Sequence, residues 1–158
     1  MELENQDLLN ETEFKTEYPR RRALLPLWIK IFTWFFMIFG ISVPFAIGFG
    51  AFGEAFDLSL YGIDTNQPLS LLGVFVLSLI SFKAITAISL WFEKDYATDL
   101  AKIDSYIGFV LCLLMMVVYP FFDEHEGFSF HLRIEIFFIY FFFKKIDQIE
   151  YNWAKIKP

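Results

Sequence analysis

The chain predicts an all-α, polytopic membrane protein with four transmembrane helices and cytoplasmic N- and C-termini. Three observations carry this. The 158 residues are 56% hydrophobic and 21% aromatic, with 22 Phe and a mean hydropathy of +0.48, far more apolar surface than a soluble domain of this size can bury. The apolar residues gather into four stretches of the roughly 20 residues that cross a bilayer core of about 30 Å. Lys and Arg also cluster beside alternate ends of those stretches, which is the arrangement the positive-inside rule demands.

Residues 1–23 read as a cytoplasmic acidic tail with a basic juxtamembrane end, Arg20, Arg21 and Arg22. The tail lacks the basic start and short apolar core of a cleavable signal peptide. Asn10-Glu11-Thr12 matches a glycosylation sequon, but a cytoplasmic tail never meets that machinery. The triple arginine sets topology and supplies candidate contacts to anionic lipid headgroups.

The transmembrane domain is expected over residues 24–146. Span one covers Leu24–Gly48, with Lys30 near its start and Pro44 late in it. Gly48, Gly50 and Gly53 match G-x-G-x-x-G, yet no strand precedes them, so a dinucleotide fingerprint is excluded by context. With Gly40 and Pro44 they loosen the outer end of the span. The next segment, AFDLSLYGIDTNQPLS, alternates apolar and polar residues before a turn and is expected to lie on the outer headgroups, with Asn66 and Pro68 starting the second helix. Span two covers Leu69–Phe92 and span three Leu100–Phe122, ending near Pro120, a residue that cannot continue a helix ladder. Span four, Phe128–Ile146, carries Arg133 and Glu135 in its first turns, where polar groups near a helix end are tolerated.

The remaining residues, 147–158, read as a cytoplasmic tail. Ile146, Ile149, Trp153 and Ile156 recur at helical spacing among charged residues, which suits a helix lying at the membrane surface. Lys94 and Lys102 beside the middle loop, and Lys144, Lys145, Lys155 and Lys157 after span four, put that loop and both ends on the cytoplasmic side. The outer loops collect Glu54, Asp57, Asp64, Asp123, Glu124 and Glu126. This division accounts for the net charge of −6 without a nucleic-acid partner.

Lys83 is the residue that most needs explaining, because it lies deep within span two. At a rise of 1.5 Å per residue it sits roughly 13 Å from the cytoplasmic boundary, beyond the reach of a snorkelling lysine. An antiparallel hairpin of spans two and three brings it level with residues 104–107, and Asp104 is there. Pairing makes such charges tolerable in a bilayer. The pair reads either as a structural staple or as a conducting or switching centre, with Ser81, Thr86 and Ser89 nearby suiting either.

Other candidate chemistry is thin. His125, His131 and Glu135 form a weak divalent-metal candidate without zinc-ligand spacing or H-E-x-x-H, so no metal or cofactor is expected. The single Cys112 excludes an intramolecular disulfide and a C-x-x-C pair, and its expected role is apolar packing. Small multidrug exporters share the span count, but their glutamate in the first span has no counterpart between Leu24 and Gly48. The D-G-x-x-A-R run of a phospholipid alcohol transferase is missing as well, so an enzyme is the least favoured class.

Trp91, Lys94, Tyr96 and Ala97, in LWFEKDYATDLAKID, resemble the hairpin of uncharacterised small four-span bacterial inner-membrane proteins, in which a Trp closes span two and an aromatic-Ala pair opens span three. The resemblance implies a fold and a location in the bacterial inner membrane. The function expected is a non-enzymatic accessory or interaction subunit of a membrane complex, and the alternative is a small oligomeric channel or transporter subunit with a Lys83/Asp104 polar centre. The partners expected are the lipid bilayer and a membrane protein or a second copy of the chain.

Overall fold

The computed structural model of the chain describes residues 20–122 and 135–156. A 3₁₀ turn, Arg21–Leu24, leads into α1 (Leu27–Ala51), a hairpin of β1 (Leu58–Leu60) and β2 (Ile63–Thr65), then α2 (Leu71–Trp91), α3 (Ala97–Phe122) and α4 (Glu135–Lys155). Among the described residues three helices are long and apolar enough to cross a membrane: α1, α2 and Ala97–Val117 of α3. The helix α4 is not one of them. Its described apolar run, 136–143, gives way to Lys144, Lys145, Asp147 and Glu150, and the expected fourth span, Phe128–Ile146, falls partly on 128–134, outside the described residues.

Local chemistry sets the helix ends. Pro26 stands at the N-cap of α1 with extended backbone, where its missing N–H costs nothing. At the other end Gly53 takes φ +80°, its N–H reaching the Gly50 carbonyl at 3.1 Å and the Glu54 N–H reaching that of Phe49 at 3.0 Å. This is a Schellman stop. The glycines that mimic a dinucleotide motif are thus two helical residues and a helix terminator. The α2 helix opens with Ser70, whose Oγ accepts from the Gly73 N–H at 3.0 Å, an ordinary N-cap. It closes with the same Schellman pattern, Glu93 N–H to Leu90 O at 3.3 Å and Lys94 N–H to Ser89 O at 3.0 Å. Here the left-handed position is held by Glu93 at φ 57°, which a side chain adopts only at some cost.

Packing follows chain order: α1 lies on α2, α2 on α3 and α3 on α4. The α1–α2 crossing is close because Gly40 meets Ala84, and a Cβ on Gly40 would come within 2.5 Å of the Ala84 Cβ. Close backbone approach is how helices gain van der Waals contact where lipid removes the hydrophobic drive. One core joins Leu25, Ile29, Leu90, Ala97 and Ala101 to Ile146, Ile149 and Trp153. The C-terminal apolar stripe expected to rest on the membrane surface is therefore packed inside the protein, since α4 continues without a break through 146 to Lys155.

The second core holds the larger departure from expectation. Leu58 and Ile63 of the hairpin pack with Ala46, Val76, Leu77 and Ile80, so the segment expected on the outer headgroups is folded back among the helices. Leu60 and Ile63 pair across a two-residue turn in which Tyr61 and Gly62 have φ 53° and 80°, the pattern of a type I′ hairpin. Strand pairing satisfies backbone groups of this segment, and enclosure in protein is where non-helical backbone is tolerated in a membrane protein.

Candidate functional site

Lys83 and Asp104 meet inside the bundle. The Lys83 Nζ donates to Asp104 Oδ2 at 2.8 Å, and both side chains are only 10% exposed. Antiparallel packing of α2 on α3 sets the register, through the short turn that Glu93 and Lys94 close. Two rings flank the ammonium, with Phe36 of α1 centred 4.8 Å away and Tyr61 of the hairpin 5.0 Å away. A cation over aromatic faces is favoured most where water is displaced, so the Lys83 charge is met by a carboxylate and two π-faces together. The Lys83 Cα lies twelve residues along α2 from Leu71, roughly 18 Å at the helical rise, and the hairpin tip reaches inward to it.

Tyr61 is the residue that the sequence reading left out. It is 5% exposed, and its hydroxyl has no hydrogen-bond partner among the described residues. Gly108 of α3 makes room for it, because a Cβ there would overlap the Tyr61 hydroxyl and ring. Burial, reinforced by the nearby Asp104 carboxylate, raises the phenol's pKa above its ordinary value and keeps it protonated. The two-residue turn with glycine at its second position, between alternating apolar residues, was the signal available in the sequence.

Beside this centre lies a cavity of about 380 Å³. Helical periodicity builds its walls: Trp28, Phe32, Phe35, Phe36 and Phe39 share one face of α1, and Glu135, Phe138, Ile139 and Phe142 share one face of α4. Thr33, Ile80, Lys83, Ala87, Leu90, Asp104, Ser105 and the hairpin residues Ser59 to Tyr61 complete the lining. The α1 and α4 walls meet through their rings, Trp28 against Phe142 at 6.4 Å and Phe32 against Phe138 at 5.8 Å. Two of the lining hydroxyls are engaged by their own helices, since Thr33 donates to Ile29 O at 2.8 Å and Ser105 to Ala101 O at 2.7 Å. The cavity is thus aromatic, with its charge concentrated on Lys83, Asp104 and Glu135.

No family model, curated protein or solved structure matches the chain. Ser81 and Thr86 bond back to Leu77 O and Phe82 O of their own helix, a helical use of the hydroxyl.

The candidate lipid-binding arginines are placed differently from one another. Arg20 is exposed. Arg21 is 3% exposed and faces inward, its guanidinium donating to the Glu93 carbonyl at 2.9 Å, to Asp95 Oδ1 at 2.6 Å and to the Ile156 carbonyl. Arg22 pairs with Glu93 at 2.8 Å and lies 4.8 Å from the Trp91 ring centre. Arg21 is thus not available to a lipid headgroup, because backbone carbonyls at a helix end claim its fork of donors. Its contacts, with Trp153 donating to Lys94 O at 3.0 Å, gather residue 21, the 92–96 turn and residue 156 at one end of the bundle.

Of the weak metal candidates, His125 and His131 lie outside the described residues. Glu135 opens α4, with its Oε2 3.9 Å from Cys112 Sγ. Among the described residues no group of three or more His, Cys, Asp or Glu is placed to hold a metal ion.

Proposed function

We propose that the chain is a multi-pass protein of the bacterial inner membrane and that it works as a small channel or transporter subunit, admitting a small amphipathic solute to the cavity beside Lys83 and Asp104. The observation that carries this is the ion pair buried on the wall of a ligand-sized aromatic cavity. Ionisable groups buried among membrane helices are candidates for a solute path by default, and pockets of a few hundred Å³ with few polar groups are the usual form of small-molecule sites. In this reading the segment Phe128–Ile146 is the fourth crossing, and the end that joins Arg21 to Ile156 faces the cytoplasm. Lys83 and Asp104 fix the helix register and present a polar wall; no bond-making step is assigned to them.

Purified protein in liposomes tests the proposal. Wild type is expected to raise permeability to small aromatic solutes several-fold over empty liposomes, and Ala87→Phe, which fills the cavity, is expected to remove that increase while helicity by circular dichroism is kept. Liposomes no leakier than empty ones overturn it.

A second reading, an accessory subunit in a larger complex, is favoured by the stripe of Leu27, Ile31, Trp34, Ile38, Ile41 and Phe45 on α1, all at least 50% exposed. That face suits lipid or a partner helix equally. A companion protein retained through gentle purification, with no permeability in liposomes, is the result that selects it.

A further inference from the structure

We infer that the cavity selects lipophilic organic cations and that Glu135 is the charge that recognises them. This deepens the transport reading and rests on it. Three charged side chains of the lining set the local balance. Lys83 is matched by Asp104 at 2.8 Å and enclosed by the Phe36 and Tyr61 rings, so its charge is already answered. Glu135, exposed at the start of α4, has no such match: among the described residues no Lys or Arg nitrogen lies within ion-pair distance of it, and its polar neighbour is the Cys112 thiol at 3.9 Å. Among the described residues one carboxylate of the lining is therefore left without a counter-charge.

The walls point the same way. Phe138 and Phe142 stand one and two turns beyond Glu135 on its own helix face, and Phe32 and Trp28 face them from α1. Ring faces carry negative potential and attract quaternary or protonated amines, Trp most strongly. An uncompensated carboxylate above a box of rings attracts a soft, weakly hydrated cation and repels an anion. An inorganic cation finds too few oxygens here to replace its water shell.

The test is equilibrium binding to the full chain in phosphatidylcholine nanodiscs, with empty discs subtracted. Benzyltrimethylammonium, its neutral isostere neopentylbenzene and the anion benzenesulfonate are compared. The cation is expected to bind at least tenfold more tightly than the other two. Glu135→Gln is expected to weaken it at least tenfold and Phe138→Leu several-fold, while Glu150→Gln, at the other end of α4, leaves it unchanged. Equal binding of cation and isostere, or full binding to Glu135→Gln, overturns the inference. So does benzenesulfonate binding that Lys83→Met abolishes, an outcome that keeps the transport reading and reverses the ligand's sign. Failure of the transport reading itself shows separately, as tight cation binding without liposome permeability.

Discussion

Lys83 illustrates how far single residues could be read in advance. Its depth followed from counting residues at a known rise, and its need for a partner from the cost of an isolated charge in a bilayer. Asp104 followed from the antiparallel return of the next helix, and the two side chains stand 2.8 Å apart. Tyr61 and Phe36 could not be found this way, because their approach depends on how the hairpin and α1 pack. The Tyr61 hydroxyl has no partner among the described residues, so Tyr61→Phe is expected to leave stability unchanged or raise it by up to about 1 kcal/mol. Tyr61→Ala, which empties the space beside Lys83, is expected to lower it by about 3 kcal/mol. Denaturation in detergent micelles measures both. The phenol's raised pKa lies above the unfolded value of about 10, so the unfolded state releases this proton first as pH rises. Its contribution to stability is fully present below about pH 10 and is lost on going higher. Phenolate absorbance titrated to about pH 11 should show equal amplitude for wild type and Tyr61→Phe, whereas a one-tyrosine deficit in the variant shows that the buried phenol ionises normally.

Helices were legible as elements because long apolar runs admit few alternatives in a bilayer. Span one was expected over Leu24–Gly48 and is helical over Leu27–Ala51; the shift comes from Pro26 at one end and Gly53 in a left-handed conformation at the other. Span two, expected over Leu69–Phe92, is helical over Leu71–Trp91. The hairpin was not legible, although its alternation was visible. Alternation says that one side of a strand is buried, not what buries it, and Leu58, Tyr61 and Ile63 are all buried against helices rather than against headgroups. The C-terminal stripe failed for the same reason, since Ile146, Ile149 and Trp153 fit a membrane surface and a neighbouring helix equally well. Close approach supplies the element-scale tests. Gly108→Ala intrudes on the Tyr61 ring and is expected to cost about 2 kcal/mol, the usual scale of overpacking. Arg21→Lys keeps the charge but cannot reach two backbone carbonyls and Asp95 together, so a loss of about 2 kcal/mol is expected. Most of that comes from the carbonyls, because Asp95 is 80% exposed and its pairing is screened. Thermal unfolding checks both; an unchanged midpoint for Arg21→Lys shows that the fork of donors is not what holds the end together.

On the scale of the whole molecule, Arg21 and Trp153 gather both ends of the described chain and the 92–96 turn at one end of the bundle. With that end in the cytoplasm, a reporter fused after Pro158 and one inserted at Asp95 are expected to read cytoplasmic alike; opposite readings break the proposed topology. The hairpin lies towards the other end, the aromatic cavity runs between it and the core around Leu90 and Trp153, and the Lys83–Asp104 pair joins the two halves. Its role is tested most directly by a double-mutant cycle in which stability and liposome permeability are both measured. Lys83→Met and Asp104→Leu each strand a buried charge and are expected to lose about 3 kcal/mol, whereas the double variant strands none and recovers most of it. Permeability is expected to stay lost in all three. Strictly additive losses of stability contradict the buried pair, and a double variant as permeable as wild type contradicts its part in the solute path.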